Sequence, residues 1–267
     1  MHAVVIGEFG DPAVLRPDSF PDPTDRPGWV TVELKAAALN WHDVLVRQGR
    51  YRSPLPHVIG ADGAGVRRDT GDEVVIVPSL HWGEREEAPG AAWEILGDHI
   101  PGTYAELVSV PAECLAPKPA GFSWAQAAAL PLVGLTTYRA LFSRGRLRAG
   151  ESMLVVGAGG GIATMAVQLA SHSGASIFVT SSSAEKIAQA RSVGATDGVL
   201  HTDPDWPDQA RQLSPSGSGF DLVLDPVGRW PESVRALRPG GRLVVLGANA
   251  AETAPMDVRR FYFGQYD

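Results

Sequence analysis

The rhythm of hydrophobic and polar positions changes near residue 120. Before it, apolar runs are short and broken by Pro and Gly. Residues 3–6, 29–34, 72–77 and 104–110 read as strands with turn residues between them. Pro12, Pro17, Pro21, Pro23 and Pro27 punctuate the first connection, so this part predicts a compact β-rich domain. After residue 120, Val/Leu-rich runs at 153–156, 176–180, 198–200, 221–224 and 242–246 alternate with helical stretches. Strands buried on both faces need such continuous apolar runs, and alternation with helices predicts a parallel sheet. Ile162, Met165, Ala166 and Leu169 share one helical face, which predicts a helix over 161–172. A second helix covers 184–193 and stops at Gly194; a third covers 231–237 and stops at Pro239, Gly240 and Gly241. The expected division is a domain over 1–119 and another over 120–267.

Composition narrows the function classes. The 267 residues are 44% hydrophobic and 20% charged, an ordinary globular balance far from disorder. Net charge is 23 − 30 = −7, which argues against a nucleic-acid partner. The lone cysteine, Cys114, forms no internal disulfide and builds no multi-cysteine zinc site. No apolar run reaches the roughly 18 residues of a membrane helix, and the first residues read as a strand rather than a signal peptide. These features predict a cytoplasmic, acidic, soluble protein with no membrane partner.

The most informative stretch is Val155-Val156-Gly157-Ala158-Gly159-Gly160-Gly161-Ile162-Ala163, a strand, a glycine cluster and a helix start. Glycines permit a tight turn and let backbone N–H groups approach a pyrophosphate, and the helix start adds positive partial charge. The G-x-G-x-x-G/A spacing falls loosely on Ala158, Gly160 and Ala163. A plain strand-to-helix turn also uses glycine, but four further strand candidates follow this one. The stretch therefore predicts dinucleotide binding by Gly157, Gly159, Gly160, Gly161 and Ile162. An NAD site usually places a carboxylate at the end of the second strand. Here that place holds Thr180, Ser181, Ser182 and Ser183, with Lys186 a turn later. Hydroxyls and a cation suit a 2′-phosphate, so NADP(H) is the expected cofactor, with Ser181, Ser182 and Lys186 as its contacts. The serines also suit a helix cap, and both roles are compatible.

Together these motifs resemble the medium-chain dehydrogenase/reductase superfamily, in its quinone-oxidoreductase-like and zinc-type alcohol-dehydrogenase-like branch. The matching segments are Ala38-Leu39-Asn40-Trp41-His42-Asp43, Gly60-Ala61-Asp62-Gly63-Ala64-Gly65, Gly102-Thr103-Tyr104-Ala105-Glu106, Ala127 to Pro131 with Gly134-Leu135-Thr136, the glycine turn, Asp225-Pro226-Val227-Gly228 and Pro239-Gly240-Gly241-Arg242-Leu243. The resemblance implies an α/β fold: a Rossmann doubly wound parallel sheet preceded by a GroES-like β-rich domain, with the active site between them. It implies hydride transfer from NAD(P)H to a quinone, enone or related carbonyl compound. The alternatives are an NAD(P)-dependent zinc-type alcohol dehydrogenase and a non-catalytic, crystallin-like nucleotide binder.

Zinc members of this family use an early Cys, a Gly-His-Glu segment and a later Cys or Asp. Here Asn40 stands at the first place and Gly60-Ala61-Asp62 at the second, so no metal is expected. His42, His57, His81 and His99 read as surface or loop histidines. The resemblance implies that Asn40 donates to a substrate oxygen and that Tyr51 donates a hydrogen bond or proton. It places Thr136 near the nicotinamide, and backbone groups of Gly247, Ala248 and Asn249 at the nicotinamide end. Asp43 and Arg47 are spaced as a surface ion pair at i, i+4. Arg139, Arg144, Arg146 and Arg148 read as a solvated helix face, and residues 82–93 as a mobile loop or lid. In relatives, the chain continues beyond this point into a further Rossmann strand and helices. The sequence is therefore expected to be a fragment or a naturally short form, and a homodimer is expected of a full-length form.

Overall fold

The computed structural model describes all 267 residues, and the chain divides into two units, Met1–Leu132 and Val133–Asp267. The first unit is β-rich. Strands β1 (His2–Ile6) and β2 (Arg16–Ser19) pair with each other and, through β1, with β4 (His57–Val58). Between them in the chain come β3 (Trp29–Ala38) and helix α1 (Trp41–Arg47). A five-stranded antiparallel sheet then joins β3, β5 (Asp62–Arg67), β6 (Glu73–Ile76), β9 (Leu107–Pro111) and β10 (Leu115–Pro117), in the order β10-β6-β5-β3-β9. The short strands β7 (Ser79–Leu80) and β8 (Glu94–Ile95) form a separate ribbon. Val32, Val74, Ile76, Leu80, Leu96, Val108 and Val110 fill the core on one face of the large sheet. Helix α2 (Trp124–Ala128) covers other residues of it, with Ala127 and Ala128 against Ala64 and Val75.

The second unit is a parallel sheet. After α3 (Pro131–Tyr138), whose first turn contains the division, come β11 (Ser152–Val155), α4 (Gly161–His172), β12 (Ser176–Ser181), α5 (Ala184–Ser192) and β13 (Asp197–Leu200). Then follow α6 (Trp206–Leu213), β14 (Phe220–Asp225), α7 (Trp230–Ala236), β15 (Leu237–Val245) and α8 (Val258–Gly264). The strand order is β13-β12-β11-β14-β15, all parallel. The order reverses beside β11, so the carboxyl ends of β11 and β14 flank a topological switch point.

Alternation along the strands explains the two layers. Met153, Val155, Ile177, Val179, Leu222 and Leu224 pack against Ala163, Ala166, Val167 and Ala170 of α4 and Ile187 and Ala190 of α5. The intervening Leu154, Val156, Phe178, Phe220 and Val223 pack against Trp206 and Ala210 of α6 and Ala236 of α7. Both faces exclude water, as the continuous apolar runs require.

Several boundaries differ from the sequence expectation. The third predicted helix ends one residue early, because Leu237 already pairs with Phe220; a register shift then absorbs Pro239, Gly240 and Gly241 inside β15. The predicted strand over 104–110 is β9, starting at Leu107, and Tyr104 stays free to turn its hydroxyl to another element. No helix is long and apolar enough to cross a membrane.

Phe220 is fully buried, with its ring 5.3 Å from that of Phe178. Phe220→Ala is expected to cost the second unit about 3–5 kcal/mol. Denaturant unfolding followed by hydrogen exchange of β11, β12 and β14 checks this.

Candidate functional site

The glycine turn lies at the carboxyl end of β11. Gly157 (φ +88°) and Gly159 (φ +101°) occupy left-handed backbone that only glycine adopts without strain. A Cβ on Gly159 would meet Lys186 Cδ at 2.9 Å, so the lysine stem lies across the turn. The end of β12 holds the other side. Thr180 Oγ1 accepts from Gly157 N–H at 3.1 Å, and Thr180 O accepts from Ala158 N–H at 2.6 Å. Gly159, Gly160 and Gly161 are exposed, and a Cβ on Gly160 would meet nothing within 4 Å. The ladder of α4 starts with Thr164 N–H to Gly160 O at 3.0 Å, so the amides of Gly161, Ile162 and Ala163 lie ahead of it. Open amides at the positive end of a twelve-residue helix form a cradle that fits a pyrophosphate.

The other predicted nucleotide residues lie at the same end of the sheet or beside it. Ser182 and Lys186 are exposed. Ser181 is buried, and its Oγ accepts from Ser183 N–H at 3.2 Å. Ser183 caps α5, accepting from Lys186 N–H. Gly247, Ala248 and Asn249 follow β15 and interlock with the loop after β14: Ala250 N–H donates to Val227 O at 2.8 Å. Asp225 anchors that loop, accepting from Val227 and Gly228 N–H at 2.9 and 2.8 Å and from Ser233 Oγ at 2.9 Å. Thr136 is half-buried in α3, which reaches the glycine turn through Val133, 3.2 Å from where a Gly161 Cβ would lie. The reading of the sequence placed Thr180 among the residues that end β12 but not its role, which is to tie the turn to that strand.

The first unit gathers a polar cluster around α1. Asn40 caps this helix in a capping box with Asp43 at its third residue. Asn40 N–H donates to Asp43 Oδ2 at 2.8 Å, and Asn40 Nδ2 donates to Asp62 Oδ2 at 3.0 Å. Asp43 also accepts from Tyr104 Oη at 2.9 Å and from Ala61 N–H at 3.1 Å. Asp62 Oδ1 accepts from Leu132 N–H at 2.8 Å, and Asp62 O from Thr103 Oγ1 at 2.8 Å. Both carboxylates are buried, and no lysine or arginine neutralises either. Burial raises the Asp43 carboxyl above its ordinary range. Burial, reinforced by the Asp43 charge, pushes Asp62 up to about 7. Burial and the Asp43 carboxylate likewise raise the Tyr104 hydroxyl.

Tyr51 is 39% exposed, and its ring lies 4.6 Å from that of His42. His42 Nε2 meets Asp98 Oδ1 at 2.5 Å. Burial and the Asp98 charge raise the Tyr51 hydroxyl, which therefore stays protonated at neutral pH. Two expectations need correction. His42 and His57 are not surface histidines. His42 is largely covered against Asp98, and His57 is buried with Nε2 on Gly97 O at 2.9 Å. Asp43 and Arg47 are not a surface ion pair. Val46 of α1 packs on Ile6 and Ile59, which turns that part of the helix inward; the Asp43 oxygens are taken elsewhere, and Arg47 Nε is buried without a hydrogen-bond partner.

These residues do not fit a catalytic zinc. Asn40 offers an amide already committed to Asp62, Ala61 offers a methyl, and both Asp62 oxygens already accept hydrogen bonds. No group of three or more His, Cys, Asp or Glu residues converges as a metal would require.

Comparison with known proteins agrees with this architecture. The alcohol dehydrogenase GroES-like domain matches residues 26–120, and the family described as zinc-binding dehydrogenase matches residues 161–266. A zinc-type alcohol dehydrogenase-like protein of Schizosaccharomyces pombe is 32% identical over 240 residues, covering 84% of this chain and 69% of the relative. A chloroplastic NADPH-dependent alkenal/one oxidoreductase of Arabidopsis thaliana is 34% identical, covering 92% of this chain and 62% of the relative. A solved NAD-dependent alcohol dehydrogenase is 38% identical with a TM-score of 0.91, covering all of this chain and 83% of that one. The chain belongs to the medium-chain dehydrogenase/reductase family of NAD(P)H-dependent oxidoreductases. It spans between about six and seven tenths of the two curated relatives.

The raised Asp62 gives a pH signature. The folded state holds this proton more tightly than the unfolded chain, so the contribution is full below the ordinary carboxylate range and is lost as pH rises through about 7. Asp62→Asn removes it. The Tm of the variant relative to the parent is expected to rise from pH 5 to pH 8, as read by parallel thermal melts.

Proposed function

We propose that the chain is an NADPH-dependent reductase that delivers hydride to a quinone, enone or related carbonyl compound without a catalytic metal. The observation that carries this reading is the open glycine cradle of the second unit; the donor atoms that the first unit offers are an amide and a phenol. The Gly157–Ile162 turn and the amides that open α4, with the Lys186 stem across the turn, would hold the pyrophosphate. The exposed Ser182 hydroxyl and Lys186 ammonium would hold the 2′-phosphate. Ser181 contributes through the turn it forms with Ser183 rather than as a first contact. Thr136 and the backbone of Gly247, Ala248 and Asn249 take the nicotinamide end.

When bound, the reduced nicotinamide supplies a hydride, carrying two electrons to the substrate carbon. Asn40 Nδ2 has two protons; Asp62 takes one, and the second donates to the oxygen where negative charge grows. Tyr51 O–H, kept protonated, supplies the proton that completes the reduction, and solvent returns it. The alkenal/one oxidoreductase likeness supports this substrate class and coenzyme. The NAD-dependent alcohol dehydrogenase likeness supports a second reading, alcohol oxidation with NAD.

Steady-state rates with quinones, enones and alcohols separate the two. The lead reading expects a lower KM for NADPH than for NADH, and Lys186→Ala is expected to raise the NADPH KM about tenfold with little effect on NADH. Asn40→Ala is expected to lower kcat on the order of 10²-fold. A preference for NADH with alcohol turnover favours the second reading.

A further inference from the structure

We infer that Asp62 is the positioning residue of the reductase site: its carboxylate fixes the Asn40 carboxamide so that a proton, and not the carbonyl oxygen, is presented to a substrate oxygen. This rests on the reductase reading above and deepens it by assigning a role to the residue that holds the Asn40 amide.

The geometry is specific. Asp62 opens β5, where it pairs with Ala38 of β3, two residues before Asn40. Thr103 Oγ1 fixes its backbone carbonyl. Its side chain is 1% exposed and joins two helix starts: Oδ1 accepts from Leu132 N–H in the first turn of α3, and Oδ2 accepts from Asn40 Nδ2 at the cap of α1. An amide side chain has a donor end and an acceptor end that differ little in size, and only its partners decide which way it faces. Once ionised, as pH rises through about 7, the Asp62 carboxylate accepts and does not donate, so it selects the Nδ2 end. Asn40 is the N-cap of α1, its own backbone N–H held by Asp43 Oδ2. One Nδ2 proton then remains for a ligand.

Energetics argue that this is more than a cap. Serine, threonine or asparagine would satisfy Leu132 N–H and a helix start without burying charge. Asp62 instead lies buried beside a second carboxylate, Asp43, with no lysine or arginine to neutralise it. Such burial is costly, and the gain here is a property that neutral caps lack, an acceptor that in its ionised form cannot reverse. Asp43 performs a different task. Its oxygens hold backbone N–H groups of Asn40 and Ala61 and the Tyr104 hydroxyl.

The test uses the full chain with NADPH and an enone or quinone that the parent turns over. Asp62→Ala is expected to lower kcat 10- to 100-fold with the Kd for NADPH unchanged. The exchanged pair Asn40→Asp with Asp62→Asn restores a hydrogen bond between the two positions with its polarity reversed. Its Tm is expected to recover relative to Asp62→Asn alone, while kcat stays low. In the parent, NMR of the Asn40 side-chain amide is expected to show one proton protected from exchange and the other not. Full turnover in Asp62→Ala, or restored turnover in the exchanged pair, overturns the inference while leaving the reductase reading intact. Full turnover in Asn40→Ala overturns the role of Asn40 and this inference with it. If Asp62→Ala does not fold, the exchanged pair and the exchange measurement decide.

Discussion

A buried carboxylate with no cation beside it is the constraint on which the first unit turns. Asp62 and Asp43 stay in place because backbone N–H groups, an amide and a phenol supply the hydrogen bonds that water would otherwise give. Their shared neighbours order the region around α1. Asp43 holds the helix cap and the Tyr104 hydroxyl, while Asp62 links the cap to the start of α3. Asn40 is thus carried on a scaffold whose buried polar groups are satisfied by hydrogen bonds.

The second unit solves a different problem, a sharp bend that leaves the amides of a helix start open. Positive φ at Gly157 and Gly159 bends the chain, Thr180 ties the bend to the neighbouring strand, and the start of α4 supplies open amides. Two packed layers hold these pieces in register. Residues of β11, β12 and β14 alternate between them, so neither the turn nor the helix shifts without disturbing a core.

Much of this was legible in the sequence because it rests on local patterns. The parallel sheet shows in continuous apolar runs, since strands covered on both faces cannot alternate. The glycine cluster shows between a strand and a helix face marked by Ile162, Met165, Ala166 and Leu169. What was not legible depends on contacts distant in sequence. His42 meets Asp98 across 56 positions, and Leu132 meets Asp62 across 70. Asp43 and Arg47 match the spacing of a surface pair, but spacing does not say which side of a short helix turns inward. Two-residue strands such as β4, β7 and β8 carry no periodic signal, and β15 runs through a Pro-Gly-Gly segment because its partner strand holds Leu237 in place.

The central claim is that hydride transfer here uses an amide and a phenol where other members of the family use zinc. It is tested most directly by measuring NADPH-dependent turnover before and after removal of metal with a strong chelator, with zinc quantified in the same samples. The account predicts unchanged turnover and zinc far below one per chain. Stoichiometric zinc, with activity lost on its removal and restored on its return, would contradict it.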